Sequence, residues 1–255
     1  SLAFALQFRA NKIIQDFQPD LIHLQDPSPV SLTFMIVAKR LHIPVLATHH
    51  PGPAIWAPFL PGNNFLVKKM VVPLVWSFFI HYLNKADRVT APSLAAGNML
   101  AAHGVHTPVK SISCGVHLEE FHKIRLDQRV LREKFGLPLD KKLFVYVGRL
   151  DEEKKVDVLI RALPLLKDSS IFLVIAGTGL KNQYLQDLVT SLKVNKQVIF
   201  LGNILRENVP DLYSACDVFV MPGDVESLSI STLEALACGK PVIAADAMAL
   251  PEMVH

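Results

Sequence analysis

The chain has 255 residues, 26 Lys and Arg against 23 Asp and Glu, and a formal net charge of +3, with 51% hydrophobic and 19% charged residues. This is enough apolar material for one large or two ordinary cores; it argues against disorder, and the charge is too mild to argue for a nucleic-acid partner. The three cysteines, at 114, 216 and 238, are dispersed and lack metal-ligand spacing. They fit a reducing compartment better than a disulfide framework or a zinc site.

The charge is unevenly divided. Residues 1–117 hold nine Lys and Arg, four Asp and Glu and eight of the ten His, whereas residues 118–255 hold seventeen and nineteen. Two bodies with different partners have this signature. The opening "SLAFALQFRANKII" reads as an amphipathic helix entered partway, with no signal peptide visible. Short apolar strand candidates then alternate with longer amphipathic stretches. The strands are 20–25, 43–48, 87–91, 109–113, 142–148, 170–177, 197–202, 216–222 and 240–246. Their β-branched, nearly uniform hydrophobicity implies burial on both faces, hence parallel sheets covered by helices. Helices are expected over 28–42, 93–104, 155–167, 180–192 and 229–238.

The longest apolar run, "MVVPLVWSFFI" (70–80), is too short to span a bilayer, and Pro73 interrupts it. With Lys68 and Lys69 ahead of it, it reads either as a buried helix or as one lying on a membrane surface. Around 116–141 the alternation pauses in a charged segment containing one short helix. The expected boundary lies there, dividing a doubly wound domain over 1–116 from a second over 117–255. Such sheets bind ligands at the carboxyl ends of their strands, so two of them facing each other would enclose a cleft.

Three stretches place chemistry at strand ends. "GRLDEEKK" puts Arg149 just past a strand and Lys154 at the start of the next helix, a fork and a point charge suited to a diphosphate. Alternatively, both are solvated surface charges. "IAGTGL" ends the next strand with Gly177 and Gly179, either a tight turn or a close backbone approach to a flat ligand. In "ESLSISTLEALACGKP", Glu226 sits in a loop before a helix start and Glu234 inside that helix among small apolar residues. A carboxylate there needs partners, which sugar hydroxyls or neighbouring backbone could supply.

Together "GRLDEEKKVDVLIRAL", "VIAGTGL" and "VIFLGNI…VPDLYSACDVFVMPGDVESLSISTLEALACGKPVIAADAMALPEMV" resemble the nucleotide-sugar domain of family 4 retaining glycosyltransferases, with "PDLIHLQDPSPVSLTFMIVAKRLHIPVLATHH" similar to part of their N-terminal domain. The resemblance covers essentially the whole chain. It implies the GT-B fold, α/β with two Rossmann-like doubly wound parallel-sheet domains facing a cleft, here incomplete at both termini. It also implies an E-x7-E signature at Glu226 and Glu234. By the same resemblance, Arg149 and Lys154 hold the donor diphosphate, Glu226 the transferred sugar and Glu234 the ribose. Gly148, Gly177, Gly179, Leu228, Ser229 and Ile230 line the donor. His50 faces the donor from the other domain, with His49 as the competing assignment. Two departures stand out: "SLSI" replaces the usual aromatic-glycine loop, and Cys114 and His117 replace an Asn and an Asp of the interdomain crossing.

The resemblance implies transfer of a hexose from a nucleotide diphosphate sugar, UDP-glucose first among donors, with retention and without a metal or other cofactor. For the acceptor, the basic, apolar N-terminal half and its "PGPAIWAPFLP" loop (51–61) suggest a lipid at a membrane surface. The C-terminal motif variant is similar to that of bacterial diacylglycerol glucosyltransferase-like members. The implied location is cytoplasmic, peripheral on the inner membrane face. A soluble or polysaccharide-precursor acceptor is the alternative, and a non-catalytic nucleotide-sugar-binding relative is another. A nicotinamide oxidoreductase is disfavoured because "GTGLKN" lacks the third glycine of Gly-x-Gly-x-x-Gly.

Overall fold

Helix α1 (Leu2–Phe17) leads into a parallel sheet of β1 (Ile22–Leu24), β2 (Val45–Thr48), β3 (Arg88–Ala91) and β4 (Val109–Ser111), in that spatial order. Between the strands run α2 (Pro29–Arg40), α3 (Phe65–Leu83) and α4 (Leu94–Ala102). The computed structural model describes residues 2–50 and 65–254. The 51–61 loop assigned to the acceptor lies outside the described residues. The chain divides into two compact units, residues 1–113 and 114–255.

Local chemistry starts these helices where the sequence signals them. Ser28 Oγ accepts from the Ser31 amide at the head of α2, with Pro29 in the first turn, and Ser93 Oγ accepts from the Ala96 amide at the head of α4. Each cap satisfies a donor that the helix itself leaves unpaired. The strands contribute Leu24, Val45, Ala47, Val89 and Ala91 to a core shared with Met35, Tyr82, Leu83 and Leu100. Small residues at 47, 91 and 96 let helix and sheet approach closely. Burying one Leu there stabilises by about 2 kcal/mol.

The second unit has α5 (Gln128–Lys134), β5 (Lys142–Val147), α6 (Val156–Leu166), β6 (Ile171–Ala176), α7 (Asn182–Ser191) and β7 (Val198–Gly202), followed by α8 (Val209–Ala215), β8 (Val218–Met221), α9 (Ile230–Ala237) and β9 (Val242–Ala244). Its five parallel strands run in the order β7-β6-β5-β8-β9. The expected charged stretch before β5 buries one of its charges. Arg132 donates to the carbonyls of Leu139, Lys141 and Ala215, and to Asp217 at 2.9 Å, fastening α5 to the base of β8. Such a buried guanidinium is tolerated because its donors are so fully used.

All nine expected strands form, each trimmed by one or two residues at one or both ends. Helix α8 is additional; "VPDLYSA" is too short to show helical periodicity, though Pro210 in its first turn marks a helix start. Pro73 does not interrupt α3, which runs through it. Lys154 also departs from expectation. It ends a separate 3-10 turn, Glu152–Lys154, because Lys155 takes a left-handed conformation (φ 51°) before α6 begins.

Candidate active site

The sheet of the second unit reverses its strand order at β5, which has β6 on one side and β8 on the other. Loops leaving β5 and β8 therefore diverge, and such a switch point is where doubly wound sheets bind ligands. Arg149 and Lys154 follow β5; Glu226, Leu228 and Ser229 follow β8, and Ile230 opens α9.

Both cations already hold carboxylates. Lys154 Nζ donates to Glu226 Oε1 at 2.6 Å. Arg149 spreads its fork over Asp151 and Glu153, at 2.6 Å to Glu153 Oε1. Asp151 is anchored in turn by the Leu180 amide. Both cations are thus compensated within the protein. Glu226 is only 7% exposed, and charge burial of that kind requires a partner such as Lys154. Beneath them Tyr146 donates its hydroxyl to the Arg149 carbonyl. Burial, then the neighbouring Glu226 and Glu153 charges, push that phenol far above its ordinary range. Arg149, Lys154 and Glu226 are therefore one neighbourhood.

The glycines act through backbone contact. A Cβ on Gly177 would stand 1.8 Å from the Gly148 carbonyl oxygen, and one on Gly179 2.5 Å from Leu150 backbone. Hydrogen bonds from Gly148 N to Ala176 O and from Leu150 N to Thr178 O stitch the two loops together. The approach leaves a hollow of about 270 Å³ lined by Gly148, Arg149, Gly177, Thr178 and Asn203.

Glu234 lies in a different hollow, of about 300 Å³, with Cys114, His117, Arg206 and Ile230. It is 8% exposed and accepts from the Tyr213 hydroxyl at 3.1 Å. Burial raises its pKa, against the lowering by Tyr213 and Arg206. Ser229 caps α9, its Oγ accepting from the Thr232 amide and hydroxyl. The two residues that depart from the resemblance, Cys114 and His117, thus share Glu234's hollow.

In the first unit His49 and His50 separate by environment. His49 is buried edge-on to Phe79, and burial, with a smaller contribution from His50, lowers its pKa to about 4. His50 is exposed, and its Nε2 pairs with Gln25 Oε1 at 2.8 Å. Gln25 Nε2 is 3.1 Å from His23 Nε2, which pairs with Thr48 Oγ1, and that hydroxyl with Thr90 Oγ1, each at 2.6 Å. Sequence reasoning missed Gln25, His23, Asp151, Glu153 and Arg206. The first two carried a signal, since they stand two apart at a strand end and so share a face.

Paired cations at a sheet switch point, beside glycines that bring two loops together, are an arrangement with which α/β units can hold phosphate groups. Residues 127–255 match the family described as "Glycosyl transferases group 1", and residues 1–120 match "Glycosyltransferase Family 4". The chain belongs to this family of glycosyltransferases.

It is 30% identical to a sulfoquinovosyl transferase of Arabidopsis thaliana, over 99% of this chain and 48% of that protein. It is 28% identical to an alpha-monoglucosyldiacylglycerol synthase of Streptococcus pneumoniae, over 92% and 54%. It is 31% identical to a GDP-mannose-dependent alpha-mannosyltransferase of Mycobacterium tuberculosis, over 94% and 59%. The chain thus spans about half the length of the curated relatives it matches. In fold it is similar to Anabaena HepE in complex with UDP, with a TM-score of 0.77 at 22% identity over 96% of this chain and 65% of that one. It is also similar to a sucrose-phosphate synthase of Thermosynechococcus elongatus, with a TM-score of 0.75 at 23% identity over 94% and 59%. The fold class is that of the GT-B glycosyltransferases.

Proposed function

We propose that the protein transfers a hexose from a nucleotide diphosphate sugar, UDP-glucose first among donors, to a lipid hydroxyl, with retention at the anomeric carbon. The observation that carries this reading is the clustering of Arg149, Lys154 and Glu226 at the β5/β8 switch point. On binding, the diphosphate exchanges with Asp151 and Glu153 for the Arg149 fork and takes a share of Lys154. Glu226, freed in part, accepts hydrogen bonds from the sugar. Glu234, in the neighbouring hollow, accepts from the ribose hydroxyls, and its buried position favours a partner that donates. The bond from the anomeric carbon to the diphosphate oxygen breaks as the acceptor oxygen attacks from the same face. The acceptor proton passes to the departing phosphate, whose growing charge the two cations stabilise. No carboxylate nucleophile is required.

His50 is assigned to face the donor in preference to His49, since an exposed imidazole can reach a ligand and a buried one against Phe79 cannot. The lipid acceptor is supported by the S. pneumoniae relative, whose name states a monoglucosyldiacylglycerol product. A peripheral place on the cytoplasmic face of a membrane follows from that acceptor.

The test is a donor screen on the full-length protein by thermal shift, with UDP-glucose, UDP-galactose and GDP-mannose. At a hundred times its dissociation constant, the true donor stabilises by about 2.7 kcal/mol. UDP-glucose is expected to give the largest shift. If none of the three moves the transition, the assigned donor site is wrong. The anomeric configuration of the product made from diacylglycerol, read by NMR, decides retention.

A further inference from the structure

We propose that one side of α3 is a docking surface for an anionic lipid bilayer. The inference deepens the lipid-acceptor reading and rests on it for the purpose of the contact. Its physical basis is separate.

Helix α3 packs Phe79, Tyr82 and Leu83 into the first unit's core. The opposite side carries Lys69, Met70, Pro73, Leu74, Phe78 and His81, all exposed. Steps of three and four residues put Met70, Pro73, Leu74, Phe78 and His81 on a single face of the helix, with Lys69 at its flank. A helix on the surface of a soluble domain ordinarily turns charge to solvent there. Instead Met70 and Leu74 are each 68% exposed and Phe78 is 41% exposed. Residues 65–83 contain no Asp or Glu, so the ionisable groups on this face are the lysine and histidine that bracket it.

Beside the face runs a mostly apolar groove of about 580 Å³, which shares Pro73 and His81 with it. Its wall includes Trp76, stacked on His103 at 3.8 Å. A contiguous apolar stripe flanked by basic groups and free of acidic ones matches the interface of a membrane with anionic headgroups. The apolar side chains enter the boundary between headgroups and acyl chains, Lys69 meets the headgroup phosphates, and the groove can take an acyl chain. Among the described residues no helix is long and apolar enough to cross a membrane, so the contact lies in the interface plane.

The experiment is flotation of the full-length protein with vesicles of phosphatidylcholine alone or with phosphatidylglycerol added, without any sugar donor. Binding to the anionic vesicles is expected, at least tenfold weaker on the neutral ones. Leu74→Asp with Phe78→Asp should lower the anionic partition coefficient tenfold or more, and Lys69→Glu about fivefold. These positions are exposed, so circular dichroism and melting should stay unchanged.

Absence of flotation, or equal flotation of all variants, overturns the proposal. So does a concentration-dependent dimer that the Leu74→Asp and Phe78→Asp pair dissolves, which would assign the face to a second copy. Because no donor is present, failure here leaves nucleotide-sugar transfer standing. A protein that floats but transfers to no lipid would instead remove the lipid-acceptor reading alone.

Discussion

The two units share one construction, a parallel sheet with helical crossovers, yet their carboxyl edges are furnished differently. In the first, imidazole, amide and hydroxyl groups form a chain from His50 through Gln25, His23 and Thr48 to Thr90. The carboxylate of Asp26, just past β1, is engaged by the Ser28 and Ser31 hydroxyls. In the second, Arg149 and Lys154 are clasped by Asp151, Glu153 and Glu226. Neutral hydrogen-bonding groups suit a hydroxyl-bearing partner. Compensated ion pairs suit a polyanion that trades places with carboxylates, because the cations are already held in position. Fold fixes where a site can lie, and side-chain charge decides what enters it.

The largest expected effect tests how tightly the second edge is built. Gly177→Ala would place a methyl group 1.8 Å from the Gly148 carbonyl oxygen at a φ of 135°. Overpacking and backbone strain together should cost about 4 kcal/mol, measured by urea unfolding. A loss under about 1 kcal/mol would show that the β5 and β6 loops can part, and the tight phosphate-side hollow would not be as described.

Next comes the first unit's buried imidazole. The fold accommodates His49 neutral, its pKa lowered to about 4 from 6.5 chiefly by burial. As the pH falls, the unfolded chain takes up the proton first. Stability that is complete above pH 6.5 is then lost progressively toward pH 4, by up to about 3 kcal/mol. Trp76 in α3 belongs to the first unit, so its fluorescence follows the unfolding of that unit. In His49→Phe this pH slope should flatten; a slope as steep as in the parent protein would assign the acid sensitivity elsewhere.

Arg149→Ala then probes the clasped cations. Removing the fork takes a positive charge from the departing diphosphate and should slow transfer by about 10²-fold, close to 2.7 kcal/mol, with a smaller change in donor KM. The change also leaves the Asp151 and Glu153 side chains, 9% and 11% exposed, without their cation, so a loss of stability should accompany it and turnover is compared well below the melting transition. Near-normal turnover would mean that the Asp151 and Glu153 pairing is its whole purpose.

Much of this was legible in the sequence because it is local. Nine apolar runs gave nine strands, and the order of "GRLDEEKK", "IAGTGL" and "ESLSISTLE" put the candidate residues on loops after β5, β6 and β8. What was hidden depends on which groups meet in space. Nothing in "DEEKK" announces that Asp151 and Glu153 turn back onto Arg149 while Lys154 crosses to Glu226, seventy-two positions away. Likewise the E-x7-E spacing brings Glu226 and Glu234 onto the same loop and helix, but only the packing reveals that Glu226 pairs with Lys154 while Glu234 meets Tyr213 and lines a hollow with Arg206. The left-handed turn at Lys155 was invisible too, since lysine carries no signal for it.

That turn supplies the smallest effect and the finest comparison. In the first unit the left-handed non-glycine residues Gln18 and His42 follow the ends of α1 and α2, where a chain commonly reverses. Lys155 instead stands at the head of α6, directly after the cation that holds Glu226. A left-handed lysine costs about 1 kcal/mol relative to glycine. Its ammonium is 4.0 Å from the half-exposed Asp224 carboxylate, a contact worth little. Lys155→Gly should therefore stabilise by about 0.5–1 kcal/mol in urea unfolding, and His42→Gly by a similar amount in the first unit. If His42→Gly stabilises but Lys155→Gly does not, the strain before α6 is offset by the lysine side chain. The Lys155–Asp224 contact would then count as part of the clasp, with seven charged residues instead of five to account for.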